Sequence, residues 1–133
     1  MSDFEQISKH SGFMKHNGGL LFKVISETES EFKTKINENH LNRAGITHGG
    51  YIASIIDAGI GTGVHRANKN NIFVTISLDI KFIGSTKIGD EIIGKVKIEK
   101  ITNSLVFASC KIESKNKIIA VGSGVWKRTN NSF

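Results

Sequence analysis

From residue 72 to residue 82 the chain alternates: Ile72, Val74, Ile76, Leu78, Ile80 and Phe82 fall on one side, Thr75, Ser77, Asp79 and Lys81 on the other. A period of two sustained over that length predicts one long strand with an apolar and a polar face. Three more segments of the same kind follow. Ile92, Val96 and Ile98 alternate with Lys95, Lys97 and Glu99; Val106, Ala108, Cys110 and Ile112 come after Thr102-Asn103; Ile119, Val121, Val125 and Trp126 come after Lys115-Asn116-Lys117. Gly84-Ser85-Thr86 and Gly89-Asp90 punctuate the first connection. Four strands joined by short connections imply antiparallel pairing.

Upstream the period changes. Tyr51, Ile52, Ile55, Ile56 and Ile60 are spaced as the apolar face of a helix over residues 49–66, closed by Asn68-Lys69-Asn70-Asn71. Gly59, Gly61 and Gly63 lie inside it, and each costs roughly 1 kcal/mol relative to Ala. Close approach of a sheet, with no side chain between, is the expected compensation. A nucleotide-binding glycine loop does not fit, because Gly-x-Gly-x-Gly falls late in the helix instead of between a strand and a helix start. Before the helix, residues 20–26 and the alternating Phe32, Thr34 and Ile36 form a predicted hairpin with its turn at 27–30. Residues 3–15, with Phe4, Ile7 and Phe13, read as a short N-terminal helix ended by Asn17-Gly18-Gly19. The expected class is α+β, an antiparallel sheet around one long central helix, as a single domain over 1–133.

Charge narrows the function. The formal net charge is +6, from 18 Lys and Arg against 12 Asp and Glu. Lys33, Lys35, Lys81, Lys95, Lys97, Lys111, Lys115 and Lys117 are spread along strands as on solvated sheet faces, and no basic cluster with interleaved aromatics occurs, so no nucleic-acid partner is expected. No apolar run suggests a signal peptide or membrane span, and the one cysteine, Cys110, sits in a strand alternation as a buried inert thiol. A reduced, cytoplasmic setting without a membrane partner is the expectation. His10, His16, His40 and His65 lack zinc-ligand spacing, and no serine nucleophile elbow is present.

Chemistry gathers at the start of the long helix. His48-Gly49-Gly50 opens it, Asn42 lies six residues upstream, and Asp57 is a lone carboxylate among apolar and small residues. The first turn of a helix has N–H groups without internal partners and carries partial positive charge, so it can hold an oxyanion.

The segment from His40 to Gly50, with Asn42-x5-His48-Gly49-Gly50-x7-Asp57 entering a long helix, and the segment Thr75-Ile76-Ser77-Leu78-Asp79-Ile80-Lys81-Phe82 followed by Lys87-Ile88-Gly89-Asp90, resemble the hotdog-fold acyl-CoA thioesterases. The branch is that of the phenylacetate-pathway and thioesterase superfamily member 2 types, and order and spacing agree over residues 11–127. The resemblance implies a bent antiparallel sheet wrapped round the helix and a dimer in which two sheets join. It implies that Gly49 N–H and the Asn42 side chain polarise the thioester carbonyl, that Asp57 acts as general base or nucleophile, that a Thr75 hydroxyl helps place water, and that His48 shapes the loop and contacts the thioester. No metal or redox cofactor is expected; coenzyme A enters only as part of the substrate, an acyl-CoA or acyl-carrier thioester. Tyr51, Ile55 and Phe82 are candidate linings for the acyl chain. Where many relatives carry Arg-Pro this chain has Gly84-Ser85, so the phosphate contact passes to Lys81, Lys87, Arg66 or Lys127. A non-catalytic acyl-CoA sensor and a hydratase or dehydratase on the same fold are the rival readings.

Helical rise adds an independent constraint. Gly49 and Asp57 are eight residues apart, about 12 Å along a helix axis. One thioester carbon and its attacking water span less than that, so two-fold symmetry would bring Asp57 of one chain to Gly49 of another. The expected assembly is a homodimer with sites at its interface, alone or as a dimer of dimers.

Overall fold

The structure is a computed structural model, which describes residues 3–69 and 71–129; Asn70, inside the turn expected after the helix, lies outside the described residues. The elements are β1 (Glu5–Ile7), α1 (Phe13–His16), β2 (Leu20–Val24), β3 (Glu29–Lys35), α2 (Gly49–Ala67), β4 (Ile72–Phe82), β5 (Glu91–Ile101), β6 (Leu105–Ser114) and β7 (Lys117–Thr129). The strands form one antiparallel sheet in the order β1-β2-β3-β5-β6-β7-β4. The helix α2 contacts six of them, from β2 to β7, which requires a sheet that curves around it. This is the hotdog arrangement that the resemblance implies.

Burial follows the two periods. Tyr51, Ile52, Ile55, Ile56, Gly59, Ile60, Gly63 and Val64 are the buried face of α2. Against them stand Ile92, Val96 and Ile98 of β5, Val106, Ala108, Cys110 and Ile112 of β6, and Ile119, Ala120 and Trp126 of β7. Among the described residues no helix is long and apolar enough to cross a membrane.

The glycines inside α2 divide by face. A Cβ on Gly59 would overlap the ring of Phe32, and one on Gly63 would lie 2.9 Å from Ser30 Oγ. Phe32 is fully buried and paired across the sheet with Gly94, where an added Cβ would overlap the same ring. Two glycines, one from the helix and one from β5, thus make the slot for this aromatic. Gly61 differs, since its nearest neighbour is Trp126 Nε1 at 3.7 Å, an ordinary contact. The expected close approach accounts for Gly59 and Gly63 and leaves Gly61 unexplained.

Three features depart from the sequence pattern. The N-terminal helix shrinks to the single turn Phe13–His16, because Glu5–Ile7 pairs with β2 as an edge strand instead. The long strand β4 does not pair with β5, its neighbour in sequence; it lies beside β7, so residues 83–90 pass over two strand positions. The strand also changes phase midway. Thr75 pairs with Trp126 and Ser77 with Val125, leaving Ile76 as a bulge that is 54% exposed. Upstream of it Phe73 and Thr75 face the helix, whereas downstream Leu78, Ile80 and Phe82 do. An extra residue in one strand shifts every later side chain to the opposite face.

Cys110 is buried, and burial pushes its thiol pKa up to about 12. The reactive thiolate is then negligible near neutral pH. An aromatic disulfide reagent at pH 8 is expected to release no colour from native protein over minutes and one equivalent in denaturant; fast native labelling would contradict this packing.

Candidate active site at the start of the central helix

The loop before α2 is built around Asn42. Its Oδ1 accepts from Ala44 N at 2.9 Å and from Ile46 N at 3.3 Å. Its backbone N–H donates to Ile46 O, and its carbonyl accepts from Gly45 N, where φ is +80°. Asn suits such self-bonded turns, and glycine supplies the left-handed residue. With Oδ1 engaged, the Nδ2 donors have no protein partner among the described residues. The loop is bolted to residues 83–90 by a buried threonine pair: Thr47 N donates to Thr86 O at 2.9 Å and Thr86 Oγ1 to Thr47 Oγ1 at 2.8 Å.

His48 is the N-cap of α2. Its Nδ1 accepts from Gly50 N at 2.8 Å, while its carbonyl accepts from Tyr51 N and Ile52 N. A Cβ on Gly50 would lie 2.9 Å from that ring nitrogen, which explains why glycine follows. The first-turn N–H groups of Gly50, Tyr51 and Ile52 are all satisfied, and Gly49 N–H is left without a partner among the described residues. It points from the positive end of a nineteen-residue helix. The ring of Phe82 stands beside Gly49, about 3.5 Å from where a Cβ would be.

Asp57 lies two turns further on, half-buried. Thr75 Oγ1 donates to Asp57 Oδ1 at 2.6 Å, so the bulge at Ile76 is what turns this hydroxyl toward the helix. The sequence pattern had placed Thr75 with the solvated side chains. Oδ2 has no protein partner among the described residues. The structure therefore forms two groups: Asp57 with Thr75, and His48 with Gly49 at the start of α2, directly after the loop that Asn42 folds. The two groups stay apart: α2 is continuous, and eight residues of helix separate Gly49 from Asp57 by about 12 Å along its axis.

The candidate linings fare unequally. Tyr51 and Ile55 are 6% and 0% exposed and belong to the closed core, whereas Phe82 is 58% exposed. A cavity of about 580 Å³ lies at the other end of α2, against Gly63, Arg66, Val24 and Ile101, and touches none of Asn42, His48, Gly49, Asp57 and Thr75. Of the cations considered for phosphate, Arg66 is paired with Glu5 at 2.6 Å and Lys81 with Asp79 at 2.6 Å. Lys87 adjoins Thr86 and hence the Asn42 loop. Sequence reasoning missed the Thr47–Thr86 bolt, because nothing local links residues 39 apart.

A bent antiparallel sheet wrapped around one long helix is the hotdog arrangement of thioesterases. The thioesterase superfamily model matches residues 44–120, more than half of the chain, and the chain belongs to that superfamily. It is similar to acyl-coenzyme A thioesterase 13 of Mus musculus, with 31% identity over 90 residues that make up 66% of this chain and 64% of that one. Among solved structures, the zebrafish thioesterase superfamily member 2 superposes with a TM-score of 0.83 at 22% identity, covering 92% of this chain and 90% of the other. A mutant of the phenylacetic acid degradation protein PaaI from Thermus thermophilus gives 0.78 at 16% identity, covering 87% and 97%. At those identities the structures speak for the fold.

Proposed function

We propose that the chain hydrolyses the thioester of an acyl-CoA, or of an acyl group on a carrier protein's phosphopantetheine, at sites shared between two copies. The single observation that carries this is a Gly49 N–H without a partner among the described residues at the start of α2, while a Thr75-held carboxylate stands eight residues along the same helix. Gly49 N–H and Asn42 Nδ2 would receive the carbonyl oxygen as it gains negative charge. Asp57 of the second copy takes a proton from water as the water oxygen bonds to the carbonyl carbon. The tetrahedral adduct then expels the thiolate, which takes up a proton, leaving a carboxylate and a free thiol. Direct attack by Asp57 would instead pass through a mixed anhydride with loss of the thiolate; water opening it at the Asp57 carbonyl leaves ¹⁸O in Asp57 after turnover in H₂¹⁸O, and water opening it at the acyl carbonyl leaves the label in the product. Neither route calls for a metal or redox cofactor.

Support for the dimer comes from β4. It is the end strand of the sheet, eleven residues long, with one edge unpaired and with Ile76 and Phe82 exposed. Long apolar edges of this kind invite pairing with another chain. Joining two sheets there sets two copies of α2 about a two-fold axis, as the divided site demands. A single buried thiol is in keeping with a cytoplasmic setting. Phe82 beside Gly49 is the apolar wall for the acyl group nearest the reaction, and Lys87 is the cation we assign to the coenzyme A phosphates.

Thiol release from a panel of acyl-CoAs tests the proposal, with turnover expected for at least one. Tight binding without turnover would replace hydrolysis by sensing. In the same assay Thr75→Val is expected to lower kcat about tenfold, the worth of one hydrogen bond to a charged group. KM should stay unchanged, because Thr75 contacts the base and not the acyl group.

A further inference from the structure

His40 is 2% exposed, and all four of its polar atoms are engaged. Its backbone N–H donates to Asn37 O, and its carbonyl accepts from His48 N at 2.7 Å. Nδ1 accepts from Asn37 N at 3.1 Å, and Nε2 lies 2.8 Å from Asn17 O. A carbonyl can only accept and a backbone N–H can only donate, so Nε2 is the donor, Nδ1 the acceptor, and the two bonds hold the ring in one tautomer. Its face is stacked on Tyr51, with centroids 3.7 Å apart and planes inclined by 11°. Tyr51 is in the first turn of α2, and its hydroxyl meets Thr34 Oγ1 of β3 at 3.1 Å.

Asn37 and His40 form a capping box on the 3-10 turn Glu38–His40, with His in the place usually taken by Glu or Gln. A carboxylate or amide would close that turn locally. The imidazole does more, since its second nitrogen reaches a carbonyl 23 residues earlier and its face meets the helix that starts the site. One side chain thus joins the turn after α1, the loop carrying Asn42 and the first turn of α2.

We propose that His40 is the positioning residue of the hydrolytic site: it holds the Asn42–His48 loop against the start of α2 and so sets where Gly49 N–H and the Asn42 amide meet the thioester oxygen. The proposal rests on the reading of those two groups as oxyanion donors. It concerns their placement, since His40 touches neither substrate nor water.

Two variants separate the contacts. His40→Gln keeps a donor for Asn17 O, and His40→Phe keeps the stack on Tyr51. Each is assayed well below its own melting midpoint, with the Gly49 and Asn42 backbone amides followed by ¹⁵N NMR. His40→Phe is expected to lose about tenfold or more in kcat, His40→Gln less, both with KM within about twofold, because misplaced oxyanion donors weaken the transition state and not binding. The Gly49 resonance should move while those of β5 and β6 stay. An unchanged kcat, a loss confined to KM, or a fall that tracks the unfolded fraction would overturn the proposal. Should the wild type hydrolyse no thioester, the reading of the donors fails, and an unmoved Gly49 resonance would then separately sink the positioning role. If neither variant folds, the ring nitrogens of the wild type decide: a single tautomer with the proton on Nε2 supports the lock, and a mixture of tautomers refutes it.

Discussion

Asp57→Asn is expected to lower kcat by about 10²- to 10⁴-fold, the range contributed by a positioned acid–base group, with KM changed by no more than about threefold. The substitution is isosteric, and its amide oxygen can still accept from Thr75 Oγ1, so the melting temperature should not fall. An Asn variant of undiminished activity would remove Asp57 from the reaction. The same variant tests whether the site is shared. Asn42→Ala and Asp57→Asn chains, each impaired alone, are unfolded together and refolded. In a mixed dimer one site then has both its Asn42 half and its Asp57 half intact, and the other has neither. Random pairing restores about a quarter of wild-type activity. A site confined to one chain predicts no recovery.

Gly59→Ala is expected to destabilise the fold by about 3 kcal/mol, even though Ala is the better helix former by roughly 1 kcal/mol. The methyl would enter the space of the Phe32 ring, which Gly94 blocks from the other side, so the ring has no retreat. For a chain of this size the melting midpoint should drop by about 10 °C. Thermal melts of Gly59→Ala, Phe32→Leu and the double variant check the cause. If the slot is responsible, the double variant loses less than the sum of the two singles; strict additivity would point elsewhere.

How much of this could be read from the residues depended on where the deciding contacts lie. Along β5 and β6 the Lys and Glu side chains alternate with buried Val, Ile and Ala, and phase and burial agree with the pattern. The apolar face of α2 was equally legible, as was the need for glycine at positions 59 and 63. In β4 the alternation hid a bulge, because both flanks keep a period of two and an extra residue between them leaves only a faint mark. Phe73, an aromatic on the nominally polar side, was that mark. Glu5–Ile7 is too short to show a period, and its strand exists only because β2 offers an edge. The place of β4 beside β7 is set by contacts some fifty residues apart.

The site was legible to a similar degree. Asn42, His48, Gly49 and Asp57 stand out by spacing, and helical rise alone separates Gly49 from Asp57, which is the ground for proposing a shared site. Tyr51 and Ile55 lie in the closed core of the single chain, and apolar residues at the start of a helix look alike in sequence whether they face a substrate or the core. His40 lacks zinc-ligand spacing, and the one sequence signal for its proposed role is Asn37, three residues before it.

Since Ile76 stands outside the pairing with β7, β4 carries two registers that can vary independently. Residues 72–75 owe their orientation to the pairing that ends at Trp126, and residues 77–82 to the pairing that starts at Val125. For the proposed reaction this uncouples selectivity from proton transfer. A change at Phe82 can reshape the wall beside Gly49 without rotating the hydroxyl that holds Asp57, so the strand can be retuned for a different acyl group while the proposed catalytic pair stays as it is.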